Sequence, residues 1–315
     1  FFPYFFPVFP AAFVEQDEKS MNKSGKFQQL ATLAAGTFAN LITAVLFLLI
    51  LFGFFSAAFS PAGVVFDSYA TSTITISGIS MINGIPLNNA TYQNIIDNAN
   101  EEGFSGLVTG GRTYLMTKKM LEDQSSNDGR IIVFNNAPAI RNNLSSIIME
   151  INGEKTDSIG SLQEELEKYK PGENIIVKTK TESGFAETEI MLEENPNRPG
   201  MAWLGVGFFS REANTIVGKV INKLTFKNPN IYYQPKADGI SVFFYNLLWW
   251  VVIISISVAL VNMLPVGIFD GGRFFYLTVL GITGSETFTK KAFAFTTWLF
   301  LLILIVLVIF WFFAW

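Results

Sequence analysis

The residues that could do chemistry lie at the end of an apolar stretch, in the string NMLPVGIFDGGR at positions 262–273. Asn262 offers a carboxamide and Asp270 a carboxylate, while Pro265 interrupts a helix because it lacks a backbone N–H. A carboxylate costs about 2.5–3.5 kcal/mol at the centre of a bilayer, so Asp270 should serve a metal, a proton path or a helix cap. The structural alternatives are that Asp270 caps a helix over 271–280 and that Asn262 makes an interhelical hydrogen bond.

Two residue types that often accompany such a carboxylate are missing. The 315 residues contain no histidine and no cysteine. Their absence excludes disulfides and thiolate metal sites within this sequence, and it removes the commonest general base and zinc ligand. The net charge of −4 provides no basic surface, so nucleic acid is not an expected partner.

A second polar pair lies in the first apolar stretch, within AAGTFAN at positions 34–40. Gly36 and Asn40 are four residues apart and share one face of a helix. Gly36 would admit close helix packing, and Asn40 would face the protein interior. A role in packing alone is the alternative for both residues.

Charge is segregated along the chain that must position these residues. Of the 22 basic and 26 acidic residues, 37 lie between Asp67 and Asp238. The stretches 27–66, 240–269 and 292–315 carry no charge, and each exceeds the roughly 20 residues that span a bilayer. The sequence therefore predicts an α-helical integral membrane protein, in contact with the lipid bilayer, that carries one water-soluble insert. The segment Phe1–Val14 has prolines at positions 3, 7 and 10, so it predicts a membrane-dipping hairpin and not a spanning helix.

The insert has the pattern of a small α+β domain over residues 129–194. Asn152-Gly153 is a strong hairpin signal, and Ser158 or Ser161 could cap a helix over 158–169. Apolar alternation predicts strands at 131–134, 146–151, 175–181 and 186–192. The earlier segment Ile76–Ile82, followed by Asn83-Gly84, predicts a weak internal repeat.

The string at 262–273 resembles the N-x-x-P…D-G-G motif of the site-2 protease family of intramembrane zinc metalloproteases. Residues 34–40 are similar to the family's A-G-P-x-x-N segment, with Thr37 in place of the usual proline. Phe1–Val14 looks like the family's membrane hairpin. The strings ING at 151–153 and PGE at 171–173 resemble a PDZ-like domain inserted between the two motifs, for which another small α+β domain is the alternative. The resemblance covers essentially the whole chain.

The resemblance implies a role for each matched residue. Asp270 would be the carboxylate ligand of a zinc ion (Zn2+), which two histidines of an H-E-x-x-H helix would also hold. Asn262 would act catalytically by binding the substrate backbone or the oxyanion, and Gly36 and Asn40 would contact the substrate. The implied partner is a membrane-protein substrate whose transmembrane segment is cut, with a peptide as the ligand of the PDZ-like domain.

The chain departs from the family because H-E-x-x-H is absent. These residues alone are therefore expected to be inactive. Since the chain starts with Phe inside an apolar run, we expect the missing helix upstream of Phe1. The alternative is a degenerate relative, a membrane scaffold or chaperone that binds peptides through the PDZ-like domain. A transporter is a third class, but no partner motif for Asp270 occurs in the other apolar stretches.

The expected topology follows the family, with the zinc site toward the cytosolic side and the insert outside the cytoplasm. The expected domains are a membrane-associated hairpin and cytosolic loop (1–29), a transmembrane helix with G-x-x-x-N (30–59), a strand-containing region (60–128), the PDZ-like domain (129–200), a linker (201–239), a transmembrane helix with the Asp-Gly-Gly motif and a short helix (240–285), and a cytosolic turn with the last transmembrane helix (286–315).

Overall fold

A computed structural model of the chain describes residues 21, 23–124, 129–209, 215 and 226–313. The chain divides into two compact units. One unit comprises residues 59–236, and the other comprises the segments on either side of it. The hairpin predicted at Phe1–Val14 lies outside the described residues.

The described helices and strands are numbered in chain order. The helices are α1 Lys26–Ala58, α2 Tyr92–Asp97, α3 Lys118–Glu122, α4 Pro138–Arg141, α5 Ile159–Leu166, α6 Asp238–Asn262, α7 Asp270–Thr283 and α8 Glu286–Phe313. The strands are β1 Phe59–Val65, β2 Ser68–Tyr69, β3 Thr71–Thr75, β4 Ile79–Ile82, β5 Ile85–Pro86, β6 Ser105–Thr109, β7 Arg112–Met116, β8 Arg130–Asn135, β9 Ile147–Ile151, β10 Glu154–Lys155, β11 Asn174–Thr181, β12 Gly184–Met191, β13 Glu193–Asn195, β14 Arg198–Trp203, β15 Val206–Gly207 and β16 Ile231–Pro235.

Three of the helices, α1, α6 and α8, are long and apolar enough to cross a membrane. Each matches one of the three uncharged stretches, so the prediction of a helical integral membrane protein is confirmed. The last helix begins earlier than its uncharged stretch, at Glu286, two residues after Gly284, whose left-handed conformation (φ 65°) ends α7. The turn between α7 and α8 is therefore short.

Helices α1 and α6 pack against each other in opposite directions. Phe54 and Phe55, near the end of α1, contact Phe244 and Tyr245, near the start of α6, with ring centroids 6.3 and 5.8 Å apart. The buried residues of α1 are four, seven or eleven positions apart, spacings that place them on one side of a helix, and they form one stripe comprising Gln29, Leu33, Ala44, Leu51 and Phe55. We call this face the α1 stripe.

The unit between the membrane helices is rich in β structure, as predicted for the insert. One sheet has the strand order β12-β11-β9-β1-β16, with β10 paired to β9. A second large sheet has the order β3-β8-β7-β6-β4-β5, and the pairs β13-β14 and β15-β2 form two small sheets. Each large sheet has its own apolar core, centred on residues such as Ile148 and Val177 in the first and Leu107 and Ile131 in the second.

The predicted internal repeat is visible in hydrogen bonds as well as in element order. β4 and β9 each end in an Asn-Gly turn, in which Asn83 (φ 49°) and Asn152 (φ 49°) are left-handed. The side-chain oxygen of Asn83 accepts from the Gly106 N–H at 2.9 Å, and that of Asn152 accepts from the Ile176 N–H at 2.7 Å. In both halves a short strand, a capped helix and a hairpin follow.

The strands and helix predicted at 129–194 match β8, β9, α5, β11 and β12 within one to three residues at most ends. Ser158 is the N-cap of α5, and Ser161 completes a reciprocal capping box with it. Residues 201–239, whose composition suggested a linker, instead contribute strands. Val206 pairs with Tyr69, and Ile231 pairs with Val64. Local composition gives no signal for such pairings, because the partners are far apart in sequence.

Candidate functional site

The motif segment forms a tight connection between two helices. Asn262 is the last residue of α6, and Asp270 is the first residue of α7. The chain turns between them because Pro265 cannot continue the helical hydrogen bonds. The Val266 N–H donates to the Leu264 carbonyl at 2.8 Å, on the other side of Pro265. The Phe269 N–H then donates to the Val266 carbonyl at 3.0 Å, which leads the chain into α7.

The two glycines after Asp270 are required by close packing. Both are buried at the start of α7. A Cβ on Gly271 would lie 2.3 Å from the Met263 carbonyl carbon, and one on Gly272 would lie 2.3 Å from the Val266 carbonyl oxygen. These are backbone atoms, so neither clash is relieved by rotating a side chain. The Asp-Gly-Gly sequence therefore holds Asp270 against the turn that follows Asn262.

The structural alternative for Asp270, a cap on the helix over 271–280, does not match the geometry. The helix includes Asp270 itself, the N-cap is Phe269, and no side-chain cap hydrogen bond is made. The side chain is exposed, and no ion pair joins it to another residue in the described part of the chain. A carboxylate in the first turn is favoured by the positive end of the helix dipole. The carboxylate of Asp270 thus does not cap the start of α7, and a ligand can approach it.

The second predicted pair lies on α1, at the level of this turn. Phe55 on α1 contacts Tyr245 on α6. Thr37 lies as many residues before Phe55 as Met263 lies after Tyr245, about 27 Å along each helix axis at roughly 1.5 Å per residue. Because the two helices are antiparallel, Thr37 and Met263 come to one level. By the same measure Asn40 comes level with Leu260, two residues before Asn262. Helical geometry thus brings Asn40 and Asn262 to one level of the membrane unit.

Gly36 and Asn40 differ in their surroundings. Asn40 is half-buried and lies within the α1 stripe, between Leu33 and Ala44. Gly36 is exposed, and a Cβ there would meet no atom within 4 Å. The expected close packing at Gly36 is therefore not made by the described residues.

Thr37 is a residue of this region whose importance sequence reasoning missed. Its hydroxyl oxygen is enclosed but finds no hydrogen-bond partner in the described part of the chain. An enclosed hydroxyl without a partner costs roughly 1–3 kcal/mol. The sequence signal was present, since threonine stands where the similar segment of the site-2 proteases has proline.

The matching family spans nearly the entire chain, including both polar segments. A sequence model described as peptidase family M50 matches residues 1–306. The chain belongs to peptidase family M50. Family M50 is the site-2 protease family, so this protein is a metallopeptidase of the membrane type. No curated protein matches the chain.

M50 peptidases are in general zinc enzymes, so the residues present must be compared with what zinc requires. A catalytic zinc site takes three protein ligands and keeps one position open. No group of three His, Cys, Asp or Glu that could hold a metal occurs among the described residues, and the full sequence has no histidine or cysteine. Asp270 offers one carboxylate, so these 315 residues do not make a zinc site by themselves.

The M50 chain also has a groove in its insert, which residue patterns did not reveal. Its volume is about 480 Å³, and it lies between α5 and the segment 198–208. Charged Glu167 and Arg198 belong to its lining. The apolar lining is formed by Ile159, Leu162 and Leu166 on the helix and by Met201, Leu204, Val206 and Phe208 opposite.

Proposed function

We propose that the protein is an intramembrane zinc metalloendopeptidase that cleaves transmembrane segments of other membrane proteins. The observation that carries the proposal is the M50 match over residues 1–306, with the Asn262–Asp270 turn joining two helices of the membrane unit. Asp270 is proposed as one zinc ligand, because its carboxylate makes no helix-cap hydrogen bond and no ion pair with the residues that the structure describes. The two further ligands and the general base that such an enzyme requires are absent from these 315 residues.

Asn262 is proposed to act on the substrate itself. A carboxamide at the end of a helix can donate to a carbonyl oxygen and stabilise the negative charge that develops there during peptide cleavage. Asn40, at the same level on α1, is proposed to bind the substrate backbone. Gly36, which is exposed and has no side chain, is proposed to let the substrate approach α1 closely.

Cleavage of a membrane-embedded substrate by the complete product of the gene, reconstituted in lipid, tests the proposal. Asn262→Ala should lower kcat by about 10²–10³-fold, the usual effect of removing one oxyanion donor. Asn246→Ala is the matched control, because Asn246 is an exposed asparagine on the same helix. Equal rates for the two variants would contradict the role of Asn262, and a wild-type protein that cuts nothing would contradict the proposed function.

A second candidate function, a catalytically inactive scaffold or chaperone that binds peptides, is favoured by the absence of histidine and by the groove of the insert. We propose that the insert is PDZ-like and that this groove takes an extended peptide, since such domains bind peptides by strand addition. Met201→Lys should weaken peptide binding to the whole protein, whereas Met191→Lys, on an exposed position of β12, should not. Equal binding by both variants would contradict a peptide site in this groove.

We also propose that the insert lies outside the cytoplasm and that Asp270 lies in the cytosolic half of the membrane. The support is the family resemblance together with the odd number of spans that separates the insert from the α7–α8 turn. Long inserts do not follow the positive-inside rule, so the charge of residues 59–236 does not oppose this orientation.

A further inference from the structure

Thr37 differs from other threonines in the membrane helices. The Thr32 hydroxyl donates to the Gln28 carbonyl at 3.0 Å, and the Thr43 hydroxyl donates to the Ala39 carbonyl at 2.9 Å. This bond to the carbonyl four residues earlier is the usual way in which a helical threonine satisfies its hydroxyl. The same bond is made by Thr278, Thr283, Thr289 and Thr296. The Thr37 oxygen is enclosed and makes no such bond within the described residues.

The position of Thr37 on α1 shows which face of the helix, and which depth in the membrane unit, the unpaired hydroxyl occupies. Thr37 is four residues after buried Leu33, three before Asn40 and seven before buried Ala44, so it lies within the α1 stripe. The stripe is the face along which α1 packs on α6 and α7. By helical rise Thr37 comes level with Met263, in the turn between Asn262 and Asp270. The hydroxyl thus lies at the depth of the proposed chemistry.

A substrate cut in the membrane must present groups that such a hydroxyl could pair with. Peptide cleavage requires an extended backbone, and a transmembrane segment that unwinds leaves its N–H and C=O groups without partners or water. Each of these groups is costly to leave unpaired, and so is the Thr37 hydroxyl in the resting arrangement. A hydrogen bond between them removes both costs at once.

We propose that Thr37 is a substrate-binding residue, whose hydroxyl pairs with the unwound backbone of the substrate beside Asn40. The inference rests on the proposed function. Because the oxygen is enclosed at rest, the substrate reaches it only after the packing around the α1 stripe opens. The unpaired hydroxyl raises the free energy of the closed arrangement and so favours that opening. Proline in this position would offer no hydroxyl.

The test uses Thr37→Val in the complete gene product, since valine keeps the shape and removes the hydroxyl. The expected result is a higher melting temperature together with a KM for a membrane-embedded substrate raised about tenfold, the value of one hydrogen bond, at a kcat within about twofold. Thr37→Ser keeps the hydroxyl and should retain the wild-type KM. Thr43→Val is the matched control on the same helix, because the Thr43 hydroxyl is already bonded to Ala39.

A Thr37→Val protein that melts higher but keeps the wild-type KM would overturn the inference, and so would a Thr37→Ser protein with the defect of Thr37→Val. Disulfide crosslinking gives a readout that needs no cleavage. Thr37→Cys should crosslink to a cysteine in the substrate's transmembrane segment, whereas Thr43→Cys should not. No crosslink by Thr37→Cys would also overturn the inference. Failure of the wild-type protein to cleave would instead count against the proposed function. The crosslink would then still test whether Thr37 contacts the substrate.

Discussion

At the residue scale, the Asp-Gly-Gly motif is defined by close packing of its two glycines. Gly271 and Gly272 are both helical, and what they provide is the absence of a Cβ. The backbone of Met263 and Val266 occupies the space in which side chains would stand. The motif therefore fixes the position of Asp270 relative to Asn262 through contacts that the side chains of these two residues do not make.

Gly271→Ala tests this packing directly. The added methyl meets the Met263 backbone at 2.3 Å, so the turn must shift, and overpacking of this kind typically costs about 1–3 kcal/mol. We expect a lower melting temperature and loss of cleavage in the same variant. Gly281→Ala is the matched control on α7, since its Cβ meets nothing within 4 Å, and alanine in a helix interior is favoured over glycine by about 1 kcal/mol. A stable, active Gly271→Ala protein would contradict the close approach.

At the element scale, the insert contains two copies of one arrangement: a strand, an Asn-Gly turn, a short strand, a capped helix and a hairpin. The asparagine of each turn is left-handed and binds the first strand of its hairpin. Asparagine tolerates this conformation and supplies the acceptor oxygen. The turn thus joins two strands that are more than twenty residues apart.

Asn152→Ala should destabilise the insert by about 1–3 kcal/mol, because it leaves the Ile176 N–H without its acceptor and places alanine in a left-handed conformation. Asn152→Asp keeps an acceptor oxygen and should lose much less. Chemical unfolding of the two variants measures the difference. Equal losses would show that the side-chain oxygen does not hold the hairpin.

The sequence predicted the elements that local pattern determines and missed those that depend on distant partners. Absence of charge located α1, α6 and α8, and Asn152-Gly153 with Ser158 located the turn and the cap of the insert. The strands within 201–239 were not predicted, because they are formed by pairing with Ser68–Tyr69 and Phe59–Val65. The close approach at Gly271 and the unpaired Thr37 hydroxyl likewise depend on packing that one sequence does not display.

At the scale of the whole molecule, an integral membrane protein of the M50 family carries a β-rich insert between its first and second described spans. Two polar segments that lie far apart in sequence, at 34–40 and 262–273, come to one level because α1 and α6 are antiparallel. The insert separates these segments in sequence without preventing their helices from packing together. This arrangement allows polar groups to cluster within otherwise apolar helices.

Thiol labelling in intact cells tests the orientation of this assembly. The 315 residues have no cysteine, so a cysteine introduced here adds a reporter of known position. Ser183→Cys, in the turn between β11 and β12, should react with a membrane-impermeant reagent added outside. Ser285→Cys, between α7 and α8, should react only after the cells are permeabilised. The opposite pattern would place the insert in the cytoplasm.

We propose above all that Asp270 holds part of a catalytic zinc site in the membrane. The most direct measurement is zinc content and cleavage of the complete gene product, beside Asp270→Ala and the control Asp238→Ala, which removes the first-turn aspartate of α6. The account predicts about one zinc per wild-type and Asp238→Ala chain, and loss of both metal and cleavage in Asp270→Ala. A wild-type protein that binds no zinc, or an Asp270→Ala protein that keeps its zinc and cuts normally, would contradict it.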